Sequence, residues 1–287
     1  MVSFRFDDYC RGKQAAAAAA VLPPYKTAAI DLRFGTFRAI GNSWSRTRFD
    51  GDFYRSAYVN LDIPVTNLVI VESLEGNTVA DDPATLGGGA TDKHLIYEGL
   101  CRVDADAVLA GATTARSDDL VFSVWHPELV DLRRELGRAR HPAQVIVASR
   151  SALRIEHALM FQEPEVPVFL VTTSSAAPSL RLQVASRPWI RVIDAGQPLS
   201  MRTALRTLRA LGVETLSAIG GRTTARALLR EGVVHDLYLT TSAQRGGEPH
   251  TPLVEQPLDA HPVVVKMGTG PEEGVRFVHY VVRRGRP

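Results

Sequence analysis

Alternation of short apolar segments with amphipathic ones, from residue 65 onward, constrains the fold of this chain most strongly. The apolar segments predict strands at 65–71, 107–112, 144–148, 166–172, 189–193, 215–219 and 236–241. Helical patterns lie between them at 90–103, 127–138, 200–211 and directly after Gly221. Alternation of this kind predicts an α/β fold with a mainly parallel, twisted sheet and helices on both faces. Segments 263–266 and 275–282 predict a C-terminal antiparallel hairpin.

Residues 1–60 differ from the rest and are interpreted as an N-terminal extension, with one α/β domain over 61–287. The alanine run at 15–20 favours a helix, which Pro23 and Pro24 end. Two short strands are predicted at 27–34 and 36–40, and a polar loop at 42–52. The extension has too few apolar residues to form a core of its own.

Composition excludes several classes of protein. A hydrophobic content of 45% and a charged content of 22% are typical of a globular protein, and a net charge of +2 does not favour nucleic acid or a membrane as partner. Cys10 and Cys101 are isolated, and the histidines occur singly, with His94 and His157 interpreted as surface residues, so no metal site is predicted. The apolar run ending at Leu22 is shorter than the ~20 residues that span a bilayer. A cytoplasmic location is therefore expected.

Near the C-terminal end, the predicted strand at 215–219 passes through Gly220 and Gly221 directly into a helix. Paired glycines allow close approach of a ligand to the backbone, and the first turn of a helix presents free N–H groups and a positive dipole end. The junction thus suits a phosphate or pyrophosphate, although a tight turn without a ligand has the same pattern.

A second glycine-rich segment, 268–274, resembles a dinucleotide fingerprint only superficially. Its spacing is one residue off, Pro271 interrupts it, and the segment after it is a predicted strand. A hairpin turn has no helix N-terminus to hold a pyrophosphate, so a plain turn is predicted.

Four predicted strands end in small or polar residues, at 71–76, 110–119, 147–150 and 219–223. On these segments the chain resembles the reductase domain of riboflavin biosynthesis, the RibD C-terminal domain, within the dihydrofolate-reductase-like superfamily. The resemblance covers about residues 63–285. It rests on Ser73-Leu-Glu75-Gly76, on Arg102 with Ala105-Asp-Ala-Val108, on Gly111-Ala-Thr-Thr114 with Ser117-Asp118-Asp119, on Gly220-Gly221-Arg222-Thr223-Thr224, and on Asp236 with Gly246-Gly247.

The resemblance implies NADPH as cofactor. It assigns cofactor binding to Thr114, to Ser149 and Arg150 at the 2′-phosphate, and to the residues that would wrap the pyrophosphate: Gly220, Gly221, Arg222, Thr223 and Thr224. A hydroxyl and a guanidinium after a strand suit that dianion, but they are equally consistent with an exposed turn.

The resemblance also implies a substrate pocket lined by Ser73, Glu75, Arg102, Asp118, Phe122 and Ile219. Asp118 would orient the acceptor or relay a proton to it, and is the predicted catalytic residue. Taken by themselves, Arg102 is equally a solvated helix end and Asp118 a helix cap or turn former.

Departures from the family pattern concentrate on the substrate side. Ile219 stands where the family has a glutamate, Trp125 where it has an arginine, and Gly87-Gly88-Gly89 replaces a bulkier segment, which predicts open space or mobility. Isoleucine accepts no hydrogen bond from a pyrimidine ring, and an unpaired buried polar group costs ~1–3 kcal/mol.

The resulting hypothesis is an NADPH-dependent reductase of a heterocyclic substrate, resembling 5-amino-6-(5-phosphoribosylamino)uracil reductase. Two alternatives remain: a dihydrofolate- or pteridine-type reductase, and a non-catalytic homologue that binds a nucleotide without turnover. The resemblance further implies a homodimer.

Overall fold

A ten-stranded sheet forms the centre of the protein. The computed structural model describes residues 4–58, 61–80, 86–116, 120–148, 153–219 and 221–283. Its strands are β1 Lys26–Ile30, β2 Phe37–Ile40, β3 Phe53–Ser56, β4 Val65–Glu72, β5 Ala107–Gly111, β6 Ala143–Val147, β7 Val168–Thr172, β8 Ile190–Asp194, β9 Thr215–Ala218, β10 Asp236–Thr241, β11 Ala260–Met267 and β12 Arg276–Val282.

The helices are α1 Phe4–Ala18, α2 Ser43–Phe49, α3 Gly89–Thr91, α4 Pro127–Glu135, α5 Ala177–Gln183, α6 Met201–Ala210 and α7 Arg222–Arg230. Helix α3 continues directly as a π-helix over Asp92–Arg102. None of the helices in the described ranges is long and apolar enough to cross a membrane.

The strand order is β1-β11-β12-β10-β4-β9-β5-β6-β7-β8, and β2 with β3 forms a separate hairpin. Strands β10 to β8 in this order run parallel, whereas β12 pairs antiparallel with β10 and with β11. The predicted α/β class, the mainly parallel sheet and the C-terminal hairpin are therefore confirmed. Residues 268–274 connect the two hairpin strands, as predicted.

Both faces of the sheet are covered by helices. Successive residues of a strand point to opposite sides, so each strand contributes to the apolar packing on both faces. In β4, Leu68 and Ile70 pack in one apolar cluster with residues of α6 and α7. Val69 faces the other way and packs with the π-helix, α2 and α4. Helix α1 covers the same second face beside β5 and β6, where Phe6 is 1% exposed.

Residues 42–52 are not the predicted loop. They contain α2, which begins with a capping box: Ser45 N donates to Asn42 Oδ1 (2.8 Å), and Asn42 N donates to Ser45 Oγ (2.9 Å). Phe49 at the end of this helix is buried. The polar composition led to the prediction of a loop, although the sequence contains a helix N-terminal signal, an Asn followed three residues later by a Ser.

The N-terminal sixty residues pack against the rest at several places. Strand β1 pairs with β11 and extends the sheet at that edge. The β2–β3 hairpin is held by buried polar contacts: Arg55 pairs with Asp104, and Ser56 Oγ donates to Asp236 Oδ1 (2.6 Å). Asp236 begins β10, so this hairpin lies at the amino-terminal edge of the parallel strands.

Candidate active site

The carboxyl ends of the central parallel strands form one edge of the sheet, which we call the carboxyl edge. Strand β9 lies between β4 and β5, and Ile219 N donates to Leu109 O (2.9 Å) just beyond the last residue of β9. Ala112 N donates to Val147 O (2.9 Å), which places the end of β5 beside the end of β6. In open α/β sheets ligands bind at such an edge.

Helix α7 begins at this edge without a side-chain cap. Gly221 occupies the N-cap position, and Thr223 in the first turn is exposed. The contrast with α6 is clear, because there Ser200 caps the helix and the carboxylate of Glu231 accepts from Met201 N (2.8 Å) and Arg202 N (2.9 Å). An uncapped helix start on the surface presents N–H groups and a positive dipole end that suit an anion.

Several predicted cofactor residues come together here. A Cβ atom on Gly111 would lie 2.8 Å from Thr224 Oγ1, so the end of β5 and the first turn of α7 are in close contact. A Cβ atom on Gly221 would lie 3.8 Å from Thr114 Oγ1. Thr114 and Thr223 are exposed. The structure therefore gathers Thr114, Gly221 and Thr224 into one surface.

Arg222 is turned away from this surface. Its Nε donates to Pro252 O (2.7 Å), which ties α7 to the loop between β10 and β11. The backbone N–H of Arg222 still belongs to the first turn of α7, so its contribution to anion binding would come from the main chain.

Four predicted site residues lie outside the described residues: Asp118, Ser149, Arg150 and Gly220. Their roles stay predictions.

Ser73 and Glu75 follow β4 at the same edge. Ser73 is fully buried, and its hydroxyl accepts from Asn77 N (3.3 Å) within a turn over residues 73–77. Glu75 is exposed and pairs with Arg245 (3.2 Å), in the loop that follows β10. Glu75 therefore joins the loops after β4 and β10, and it is the more accessible of the two residues.

Arg102 and Phe122 lie together, but in a different part of the fold. The Arg102 guanidinium lies 5.9 Å from the centre of the Phe122 ring and donates to Ser123 O (3.2 Å). The π-helix that Arg102 ends leads to the start of β5, so its main chain lies at the amino-terminal edge of the strands. Burial lowers the pKa of Arg102, and its Nε has no acceptor within the described ranges.

Ile219 is half-buried and packs against two apolar clusters on the second face of the sheet. Trp125 is buried as well, with Tyr9 edge-on at 5.5 Å and the Arg140 guanidinium 5.3 Å from its ring centre. Both departures from the family pattern thus replace charged groups with apolar side chains that fill the interior. The N-terminal extension, through Tyr9, covers one of them.

The prediction of a surface position for His94 is wrong. His94 is 4% exposed, and its Nδ1 lies 3.1 Å from the carboxylate of Glu98. Burial alone would raise the pKa of Glu98, but bonds from His94 and from the N–H groups of Trp125 and His126 outweigh it and lower the pKa. These bonds fasten the start of α4 to the π-helix.

The glycines at 87–89 do not open the structure. A Cβ atom on Gly88 would lie 2.6 Å from Asp92 Oδ2, and one on Gly89 would lie 2.4 Å from Glu272 Oε1. Gly87 and Gly89 both have positive φ, at 78° and 79°, where other residues are strained. The predicted open space is therefore occupied by carboxyl groups that pack directly on this backbone.

Asp92 was not identified from the sequence. It is 5% exposed and accepts a hydrogen bond from Thr240 Oγ1 on β10. Burial, together with the nearby Glu272, raises the pKa of Asp92 to about 7, although the bond from Thr240 lowers it. Thr240 pairs in register with Val71 near the end of β4, so a carboxyl that titrates near neutrality lies below the carboxyl edge.

Asp92→Asn is expected to raise the free energy of unfolding at pH 8 by up to about 4 kcal/mol. The folded pKa lies above the unfolded one, so the folded state binds more protons between about pH 4 and 7 and loses stability as the pH rises through that range. Asparagine keeps an oxygen for Thr240 and removes the buried charge. Urea unfolding at pH 5 and pH 8 measures the effect, with the half-exposed Asp131→Asn as control. A loss of stability at pH 8 would contradict the assignment.

A mainly parallel sheet with an antiparallel hairpin, and an uncapped helix start at its carboxyl edge, agree with the dihydrofolate-reductase-like reductase fold that the resemblance implies. The family model of the RibD C-terminal domain matches residues 73–263. The chain belongs to this family. It is an oxidoreductase, and a reductase of this family uses a nicotinamide cofactor.

Individual relatives agree with this assignment. The chain is 24% identical over 176 residues to the 2,5-diamino-6-ribosylamino-4(3H)-pyrimidinone 5′-phosphate reductase of Archaeoglobus fulgidus, covering 61% of this chain and 78% of the relative. A pyrimidine reductase-like protein from Corynebacterium diphtheriae has a similar fold, with a TM-score of 0.64 at 23% identity over 77% of this chain and 93% of that one. RibD of Acinetobacter baumannii has a similar fold, with a TM-score of 0.59 at 18% identity. The match covers 77% of this chain and 58% of that protein.

Proposed function

We propose that this protein reduces an aminopyrimidine carrying a ribosyl phosphate group, with NADPH as the hydride donor. The observation that carries the proposal is the uncapped start of α7, where Gly221, Thr114 and the exposed Thr223 meet at the carboxyl edge. The reductase named for the Archaeoglobus relative supports the substrate class.

The residues fit a dinucleotide. The bound cofactor would supply the hydride, and the protein's part is to hold it against the acceptor and exclude water. The first N–H groups of α7 would bind the pyrophosphate, and the close packing of Gly111 on Thr224 fixes the position of that turn. Thr114 would contact the cofactor beside Gly221. Ser149 and Arg150 would select NADPH over NADH through the 2′-phosphate, and Asp118 would orient the acceptor or relay a proton to it.

Activity is tested by following NADPH oxidation with a panel of ribosylaminopyrimidine phosphates and dihydropteridines. Turnover with a pyrimidine and none with pteridines is expected. Turnover with pteridines alone would favour the second reductase class, and NADPH binding without turnover on any compound would favour the non-catalytic reading. Because Ser149 and Arg150 carry the choice of cofactor, Arg150→Ala is expected to reduce the preference for NADPH over NADH in a fluorescence titration.

Ile219→Glu tests the substrate side. The family glutamate at this position implies a hydrogen bond to the pyrimidine, which Ile219 cannot make, and one bond to a charged group contributes about 1.5–3 kcal/mol. We expect I219E to lower KM for the aminopyrimidine by about tenfold. The matched control is Ile219→Gln, which keeps the length without the charge. An unchanged or raised KM with I219E, in a protein that still folds, would show that this pocket accepts a different heterocycle.

We also propose that the protein is a cytoplasmic homodimer, as the family resemblance implies. Light scattering should then give about twice the chain mass of 31.3 kDa. A mass that stays at the single-chain value across concentrations would contradict it.

A further inference from the structure

A cavity of about 420 Å³ lies at the amino-terminal edge of the parallel strands. Its lining includes the first residue of β4, Val65, and the first residue of β9, Thr215. The proposed cofactor surface lies at the other end of the same strands. A molecule in this cavity would therefore not overlap a dinucleotide at the start of α7.

Four arginines from four different parts of the chain line this cavity: Arg38 on β2, Arg55 on β3, Arg138 after α4 and Arg209 on α6. Their ionic partners among the described residues are three carboxylates. Asp104 pairs with Arg38 (2.5 Å) and with Arg55, Asp106 pairs with Arg138, and Glu214 pairs with Arg209 (3.3 Å). Asp236 is a fourth carboxylate near Arg55, where it pairs with His279 and accepts from Ser56 Oγ. An anion would therefore be bound mainly through the guanidinium N–H donors, of which each arginine has five.

Arg55 is the buried member of the cluster. Its side chain is 3% exposed, and its Nε has no hydrogen-bond acceptor in the part of the chain that the structure describes. A buried donor without an acceptor is costly, at about 1–3 kcal/mol. An anion in the cavity would add negative charge and acceptor oxygens beside this group.

The remaining lining favours a ligand with a ring. Leu61, Ile63 and Val65 supply apolar surface, and Tyr58 presents a partly exposed ring. One arginine guanidinium can donate two parallel hydrogen bonds to two oxygens of a phosphate. The volume of the cavity lies within the range of small-molecule sites. We propose that this cavity binds a phosphate monoester of a nucleoside or sugar, with the phosphate among the arginines and the ring on the apolar side.

The cavity depends on the N-terminal extension. Arg38, Arg55 and Tyr58 come from residues 1–60, whereas the match to the family model begins at residue 73. The cavity therefore joins the N-terminal extension to residues inside the matched range, such as Arg138 and Arg209.

Calorimetric titration with AMP, inorganic phosphate and adenosine tests the proposal. AMP should bind more tightly than phosphate, and adenosine should not bind measurably. Arg209→Ala should weaken AMP binding by at least about tenfold, because a guanidinium contact to phosphate is lost, and Arg209→Lys should restore part of it. Arg206→Ala is the matched control: it removes an exposed ion pair with Asp62 from the same helix and should change the affinity less than about twofold.

Arg38→Ala provides a second variant, since Asp104 keeps Arg55 as partner. Circular dichroism verifies that each variant is folded. An excess of NADH, which carries a pyrophosphate but no phosphate monoester, should leave AMP binding to the wild type intact. The proposal is contradicted if AMP does not bind, if adenosine binds equally well, if NADH displaces AMP, or if R209A and R38A bind AMP as the wild type does.

Discussion

Thr223→Asp is expected to remove measurable dinucleotide binding and to leave the fold slightly more stable. Thr223 is exposed in the first turn of α7, where an added carboxylate would face the pyrophosphate. Repulsion between these charges at about 5 Å amounts to ~3 kcal/mol near a protein surface, or more than about a hundredfold in affinity. The same carboxylate favours the helix N-terminus by ~0.3–1 kcal/mol. Nicotinamide fluorescence and urea unfolding measure the two effects separately.

Thr203→Asp is the matched control for this variant. Thr203 is an exposed threonine in the first turn of α6, and its N–H donates to Ser200 Oγ (3.2 Å). An aspartate there meets the same helix dipole at the start of a different helix, which follows β8, four strands from β9 in the sheet, so cofactor affinity should not change. If T223D binds NADPH as tightly as T203D does, the start of α7 is not the pyrophosphate site.

Asp104→Asn is expected to lower the free energy of unfolding by about 3–5 kcal/mol. Asp104 is 1% exposed and pairs with Arg55, which is itself buried at 3% exposure. Losing the carboxylate leaves a buried guanidinium without a countercharge, which costs far more than losing a pair in water. The substitution would also remove a second ion pair, because the same carboxylate pairs with Arg38 of the β2–β3 hairpin.

Asp62→Asn is the control for the second variant. It removes the ion pair with Arg206 (2.8 Å), in which both side chains are more than half exposed, and should cost less than about 1 kcal/mol. Urea unfolding of both variants at neutral pH compares the costs directly. Equal small losses would show that the Asp104–Arg55 pair does not hold the hairpin on the sheet.

The sequence predicted the sheet well because its strands are buried on both faces, which produces continuous apolar segments such as 65–71 and 107–112. Gly220 and Gly221 likewise indicated the start of α7, because paired glycines between a strand and a helix are a local signal in the sequence.

Elements that depend on tertiary contacts were harder to predict from the sequence. Helix α2 is short and polar except for buried residues such as Phe49. Strand β3 is positioned by the ion pair between Arg55 and Asp104, which are far apart in the sequence.

The candidate site residues also divide into those that local sequence patterns predict and those that depend on tertiary contacts. Thr114, Gly221 and Thr224 converge because strand ends and helix starts gather at one edge, which the order of elements already implies. Asp92 and the buried His94 were not predictable, since their environments come from β10, from the Gly270–Glu272 turn and from the start of α4. The arginine cavity joins four separate segments, and periodicity carries no information about such a meeting.

A crystal structure of the protein grown with NADPH would show directly whether the start of α7 binds the pyrophosphate. We expect pyrophosphate oxygens to accept hydrogen bonds from the backbone N–H groups of Arg222, Thr223 and Thr224, with Thr114 beside the bound cofactor. A dinucleotide bound elsewhere, or a start of α7 covered by the protein's own side chains in the complex, would contradict it.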